Sequence, residues 1–426
     1  MSGFRVRFAA AAIALAVVYP ASLAAQEGLR DRDPQLEAAR RITEDLRRAT
    51  LHSGPFYLLS SLNISDIGVE QRFYVPTNEQ ASGIAFSIGA PQRLYIVARK
   101  KLIFSADVAP TWAFGLQRKD QNGEKVPNEK KRNQFGYRLR ADTQLLLNHL
   151  YLDAYGQQSD DLYADSAEIN RILTLKNQEF GAVGEAKYSS RTSSSFAAIH
   201  RKIDHPTDRF QPFNVPIQLL DRSENDYRAS ILHKTFPLTG LFVSGEMSDY
   251  RFRTATRKDS RRIFTGGGFL FDNGRAVLRV EAGNGRLRFD DPNGHDYSGL
   301  LGNLRFSRRV AAHSSITIEV ARDLEFSIFA NNDYFLFDRG SLATEWDANR
   351  RLTLRAGAQV GRNLYQVPVG GVLRRDTYTY PWVGFLWTIR RLRVGADVGY
   401  YQRTSNLISA EEADGIRVVL RLSLTP

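Results

Sequence analysis

Gly415-Ile416-Arg417-Val418-Val419-Leu420-Arg421-Leu422-Ser423-Leu424-Thr425-Pro426, the closing run of the chain, alternates almost without interruption. At the two-residue period of a β-strand, Ile416, Val418, Leu420, Leu422 and Leu424 fall on one face, and Arg417, Val419, Arg421 and Ser423 fall on the other. One face is continuously aliphatic and the other mainly cationic. A strand with this pattern suits a wall that has lipid on one side and water on the other.

The beginning of the chain agrees with such a destination. Arg5 and Arg7 precede an apolar run from Phe8 to Val18, and Ala21-Ser22-Leu23-Ala24-Ala25 supplies small residues for cleavage. This is the layout of a secretory signal over residues 1–25. The apolar core falls short of the roughly 20 residues that a membrane anchor requires. Removal of the signal takes away two arginines, so the formal charge falls from +12 to +10. Charges interrupt every later apolar run. A chain of this kind enters a membrane only as a closed barrel, because lipid cannot hydrate an unpaired backbone group. The sequence contains no cysteine, which excludes disulfides, thiol catalysis and thiolate metal sites.

Residues 26–54 carry the one helical signal, read as a short N-terminal periplasmic segment. Asp33 is placed to cap, Pro34 suits the first helical position, and Leu36, Ala39, Ile42, Leu46 and Ala49 form a narrow stripe. Glu37–Arg41 and Glu44–Arg48 are helix-supporting pairs. A solvated lead-in is the expectation; a plug or a docking helix are the alternatives.

Residues 55–426 read as strand after strand. Leu102, Phe104, Ala106, Val108, Pro110, Trp112 and Phe114 oppose Ser105, Asp107 and Thr111. Tyr137, Leu139, Ala141 and Leu145 oppose Arg138, Arg140, Asp142 and Gln144. Leu278, Val280 and Ala282 oppose Arg279 and Glu281, after which Gly283-Asn284-Gly285 predicts a bulge that resets the phase. Ile316, Ile318, Val320, Leu324, Phe326 and Ile328 oppose Glu319, Asp323 and Glu325. Leu354, Ala356 and Val360 oppose Arg355, while Leu392, Val394, Val398 and Tyr400 oppose Arg393, Asp397 and Arg403. So many charged faces could not share a dry core. Short connections alternate with longer polar ones, as in barrels with tight periplasmic turns and longer outer loops. The reading is an all-β, antiparallel transmembrane barrel of about 18 strands, with 16 as the fallback. Strands at 56–63 and 175–188 carry the weakest signal. Trp112, Trp382, Trp387, Tyr378, Tyr380 and Tyr400 fall near strand ends, where an interfacial girdle would sit.

A barrel this wide leaves an aqueous channel, so the candidate functional residues are those expected to face it. Arg355, Arg393, Arg403, Arg417 and Arg421 make a basic sector, Arg138 and Arg140 a second one, and Glu319, Asp323 and Glu325 an acidic stripe. Arg279, Glu281 and Asp397 complete the set. These charges either segregate to attract an anionic solute or simply pair across neighbouring strands. The basic balance points to outer-membrane lipid and lipopolysaccharide as partners, and away from nucleic acid, since the arginines alternate with aliphatics.

No catalytic pattern emerges. His52, His149 and His313 fall in the lead-in or in tight turns, and His200 and His205 flank one outer loop. His295 lies in Asp290-Asp291-Pro292-Asn293-Gly294-His295-Asp296, which reads as a polar turn in preference to a metal loop. Gly266-Gly267-Gly268 sits inside a strand, where small residues permit close approach. No cofactor or metal is expected, and the chain is not read as an enzyme.

The run Phe56-Tyr57-Leu58-Leu59-Ser60-Ser61-Leu62-Asn63-Ile64-Ser65-Asp66-Ile67-Gly68-Val69-Glu70, with Ala321-Arg322-Asp323-Leu324-Glu325-Phe326-Ser327 and Arg391-Leu392-Arg393-Val394-Gly395-Ala396-Asp397-Val398-Gly399-Tyr400-Tyr401, resembles a bacterial family of outer-membrane β-barrel porins. This is the second barrel-porin group, often found with exopolysaccharide export. The resemblance covers most of residues 55–425 and implies a large barrel in the bacterial outer membrane. It also implies periplasmic polysaccharide-export proteins as partners. It carries over no catalytic residue. Such barrels usually end in an aromatic residue, whereas this chain ends in Leu424-Thr425-Pro426. The leading expectation is a water-filled conduit for exopolysaccharide. A general diffusion porin for small solutes, a lipid- or lipopolysaccharide-modifying barrel enzyme, and a structural or adhesion barrel with a blocked lumen are the alternatives.

Overall fold

The computed structural model describes residues 34–71, 82–98, 101–117, 132–165, 172–206, 209–210, 215–329, 332–368, 371–407 and 413–424. Residues 1–33, on which the expected secretory signal falls, lie outside them.

The alternating segments pair with their sequence neighbours in one antiparallel ring of 18 strands. The ring closes where Ala413–Leu424 pairs with Leu62–Gln71, so the alternating C-terminal strand is the seam. The two most weakly signalled strands are both present. The first runs through Phe56–Ser60 and Leu62–Gln71, well beyond residue 63, and the other through Ile172–Lys187. The second strand is interrupted at Ala90-Pro91, between Ser82–Gly89 and Gln92–Ala98. Proline has no N–H for the ladder. Its carbonyl still accepts from Ser61 N–H at 3.1 Å, and Ala90 N–H donates to Pro110 at 3.1 Å, so the sheet bends there without parting.

The two faces differ as the alternation requires. Val243 and Val383 are each 61% exposed on the outer face, whereas Glu179, Glu224 and Asp226 are each 4% exposed on the inner face. This inverts the arrangement of a water-soluble sheet. It is stable only if the outside meets hydrocarbon.

Three expectations need correction. The pairing of Ala276–Phe289 with both neighbours runs through Gly283-Asn284-Gly285 without a register shift, so no bulge forms. Asn284, Arg286 and Arg288 therefore keep the face of Val280. Only part of the aromatic set forms an outer girdle. Trp112, Trp387 and Tyr400 are exposed outside, but Trp382, Tyr378 and Tyr380 lie on the inner face, since even-numbered residues of Arg375–Ile389 point inward with Asp376. The helix, Pro34–Arg47, is not a solvated lead-in. Ile42 is buried against Tyr95 and Ile103, with Leu46, Tyr57, Leu59, Val97 and Leu146 around it. Tyr57, Tyr95 and Ile103 occupy inner-face register positions, so the helix rests inside the barrel at the short-turn end. A hairpin pairing Leu51–Ser53 with Phe56–Ser60 then carries the chain to the wall, turning at Gly54 with φ 59°.

The outer face sets a stability test. Val383→Arg places a charge in the middle of the apolar band and should lower unfolding free energy in lipid by about 2–4 kcal/mol. Equilibrium denaturation of vesicle-folded protein checks this.

Candidate functional site: the lumen and its mouth

One hydrogen-bonding rung runs through successive inner-face positions: Arg93, Asp107, Arg140, Gln157, Glu179, Arg201, Glu224 and Tyr250. Charge alternates along it from Arg93 to Glu224, interrupted only by Gln157. Arg93 pairs with Asp107 and, at 2.9 Å, with Asp45 of the helix. Arg140 turns to Asp142 at 2.6 Å and lies 4.2 Å above the Tyr155 ring. Arg201, 8% exposed, holds Glu179 at 2.9 Å and Glu224 at 2.6 Å, with Asp226 at 3.7 Å. A guanidinium so buried requires these carboxylates, because an unpaired buried charge is strongly unfavourable. The sequence reading missed Glu179, Arg201, Glu224 and Asp226. Their signal was present: Arg222, Glu224, Asp226 and Arg228 alternate at period two.

The charged residues expected in the lumen all occupy inner-face register positions, yet they do not form separate basic and acidic sectors. Arg355 and Arg421 converge on Asp397, the first at 2.8 Å. Arg403 and Arg374 both reach Asp376 at 2.6 Å. Glu319 meets Arg305 at 3.4 Å, Asp323 meets Arg262 at 2.7 Å, and Glu281 meets Arg279 at 3.5 Å. Arg138 lies beside Ala109 and Ser159, and Glu325 faces Phe335. Arg417 faces Gly399, and Arg393, exposed, faces Ser423 near the short-turn end.

Aromatic side chains lie against the same wall. Tyr155 covers Gly181, Tyr378 covers Gly361, Tyr380 covers Gly399, and Phe264 covers Gly266. A Cβ at Gly399 would stand 2.7 Å from the Tyr380 ring, too close for any other residue. Glycine thus lets each ring lie flat, so the wall stays thin. The Gly266–Gly268 run has the close-approach role read from the sequence, with Phe242 over Gly268.

At the long-loop end, the hairpin made by Ser314–Phe326 and Tyr334–Asp347 bends into the bore. Pairing between Tyr297–Ala311 and Ser314–Phe326 stops at Gly302 and Arg322. Beyond it, Phe326 meets the inner-face rings of Tyr250 and Phe252 edge-on at 4.8 and 4.9 Å. Lys258, 1% exposed, donates from Nζ to the Ser327 carbonyl and to that of Asn332 at 3.2 Å. Asn332 Oδ1 accepts from Val367 N–H at 3.0 Å, joining a third loop. Phe335, Phe337 and Tyr365 pack beneath, and Arg374 lies 4.3 Å over Tyr365. Nearby, burial holds the His205 imidazole below its ordinary pKa, despite the Asp221 carboxylate 3.0 Å from Nδ1. The Asp290–Asp296 segment is a capped turn: Asp291 accepts from Asn293 N–H at 2.8 Å and Asp296 from Phe289 N–H at 3.0 Å.

No protein-family model and no curated protein sequence matches the chain. Solved structures do. The outer membrane protein OpdK of Pseudomonas aeruginosa is 11% identical, with 87% of this chain and 99% of that chain covered at a TM-score of 0.50. OccK7 (OpdD) of the same organism is 11% identical over 88% of this chain and 99% of its own, at 0.51. OpdK with vanillate matches at 12% identity, 87% and 99% coverage, and 0.50. At such identities the likeness is one of fold: this chain has the closed 18-strand architecture of those outer-membrane proteins.

Proposed function

We propose that the chain is a water-filled channel of the bacterial outer membrane that passes small solutes, with carboxylates engaged by its inward arginines. The observation that carries this reading is the pairing of an apolar outer band with an inner wall of ion pairs, in a ring of 18 strands. Rings of this size enclose water. The likeness to OpdK, whose structure exists with vanillate, an aromatic carboxylate, supports the solute class.

A small-solute channel fits better than a conduit for exopolysaccharide. A polymer needs an unobstructed bore, but here the helix occupies one end and the bent hairpin narrows the other. The Asp290–Asp296 turn commits Asp291 and Asp296 to backbone N–H groups, which favours a channel over a barrel enzyme. A secretory route and an outer-membrane location belong to the same proposal.

Planar-bilayer recording tests it. The intact protein should conduct, and deletion of residues 34–47 should raise the unitary conductance, since Ile42 and Asp45 leave the bore. Silence of both proteins would refute the channel. A second measurement concerns selectivity. Asp397→Asn leaves Arg355 and Arg421 without their shared carboxylate, so the reversal potential in a salt gradient should shift toward anion preference. An unchanged potential would place these arginines away from the permeation path.

A further inference from the structure

The absence of a bulge at Gly283-Asn284-Gly285 puts cations where the outer face should be neutral. Arg286 and Arg288 share the outer face with Val280 and are exposed. Arg288 stands directly opposite Arg261, and Arg286 opposite Ile263. Like charges directly opposed across strands destabilise a sheet. Arg261 is offset by Asp249, whose carboxylate lies 2.6 Å from its Nε. Neither Arg286 nor Arg288 has a carboxylate partner among the described residues. Ser298, paired with Arg286, adds an exposed hydroxyl. Below the patch the face becomes apolar through Ile263 and Leu300, 43% and 67% exposed.

We infer that Arg261, Arg286 and Arg288 bind a phosphate group of a phosphorylated glycolipid, lipopolysaccharide, in the outer leaflet. Planar guanidinium forks match phosphate oxygens in a bidentate way, and a dianion among the arginines removes their mutual repulsion. The patch belongs to a lipid because it borders the apolar band at the long-loop end. Acyl chains can cover Ile263 and Leu300 while the phosphate meets the arginines. The inference rests on the outer-membrane reading above.

The experiment titrates full-length protein in detergent micelles with purified lipopolysaccharide, with the same lipid enzymatically dephosphorylated, and with inorganic phosphate. The Arg286→Gln/Arg288→Gln double variant is compared, its folding checked by heat-modifiable gel mobility. If it does not fold, Arg288→Gln alone replaces it. Wild-type protein should bind the phosphorylated lipid at least tenfold more tightly than the dephosphorylated one, and the variant should lose that preference. Equal binding by variant and wild type would overturn the patch. Inorganic phosphate binding as tightly as the lipid would overturn the lipid assignment. Bilayer conductance should be unchanged in the variant; thus loss of lipid binding with conduction intact is distinguishable from failure of the channel itself.

Discussion

An inward-facing charge on this sheet has to find its opposite within the wall, two residues along its own strand or on a neighbouring one, and the rest of the lumen depends on that requirement. Antiparallel register puts cross-strand side chains about 5 Å apart, close enough for an arginine to reach a carboxylate beside it. The rung from Arg93 to Glu224 meets the requirement across seven of the 18 strands. On the far side, Asp397 and Asp376 each gather two arginines. Salt bridges of this kind contribute little net stability in isolation. Their effect here is to keep a strongly charged inner face compatible with a thin wall.

The same rung connects the two elements that occupy the bore. Its lower end is Arg93, which also holds Asp45 of the helix. Its upper end is Tyr250, against which Phe326 of the bent hairpin rests. Because strands in a barrel tilt, a rung climbs as it passes around the wall. One line of register-paired inner-face positions therefore leads from the helix to the hairpin tip. Lys258 completes the upper contact by donating to two carbonyls of the hairpin tip.

Alternation made the ring and its faces legible, because a two-residue period says directly which side chains share a side. It was also enough to select the inward charges, such as Arg355 and Asp397. It did not reveal what those charges meet, since partners depend on register between strands distant in sequence. The bend of the hairpin beyond Arg322 was invisible for a related reason: parity along a strand is unchanged when the whole strand leans inward. The stripe on the N-terminal helix was read correctly as a stripe, but a narrow stripe fits water-facing and wall-facing helices equally. At Gly283-Asn284-Gly285 the glycines suggested a bulge, whereas their role is to accommodate close neighbours such as Leu301 against Gly285.

A closed barrel is valued for having no edge, yet this one keeps a short edge. Above Gly302 the strand Tyr297–Ala311 has lost its neighbour on one side, because the adjoining hairpin has turned into the bore. Part of the exposed rim is covered by the chain itself, the Leu300 carbonyl accepting from the Tyr297 hydroxyl at 3.1 Å. The wall thus carries a seam at its upper margin. The inward lean that narrows the mouth is the same displacement that ends the backbone pairing behind it, so constriction above and an unpaired edge beside it are two views of one bend.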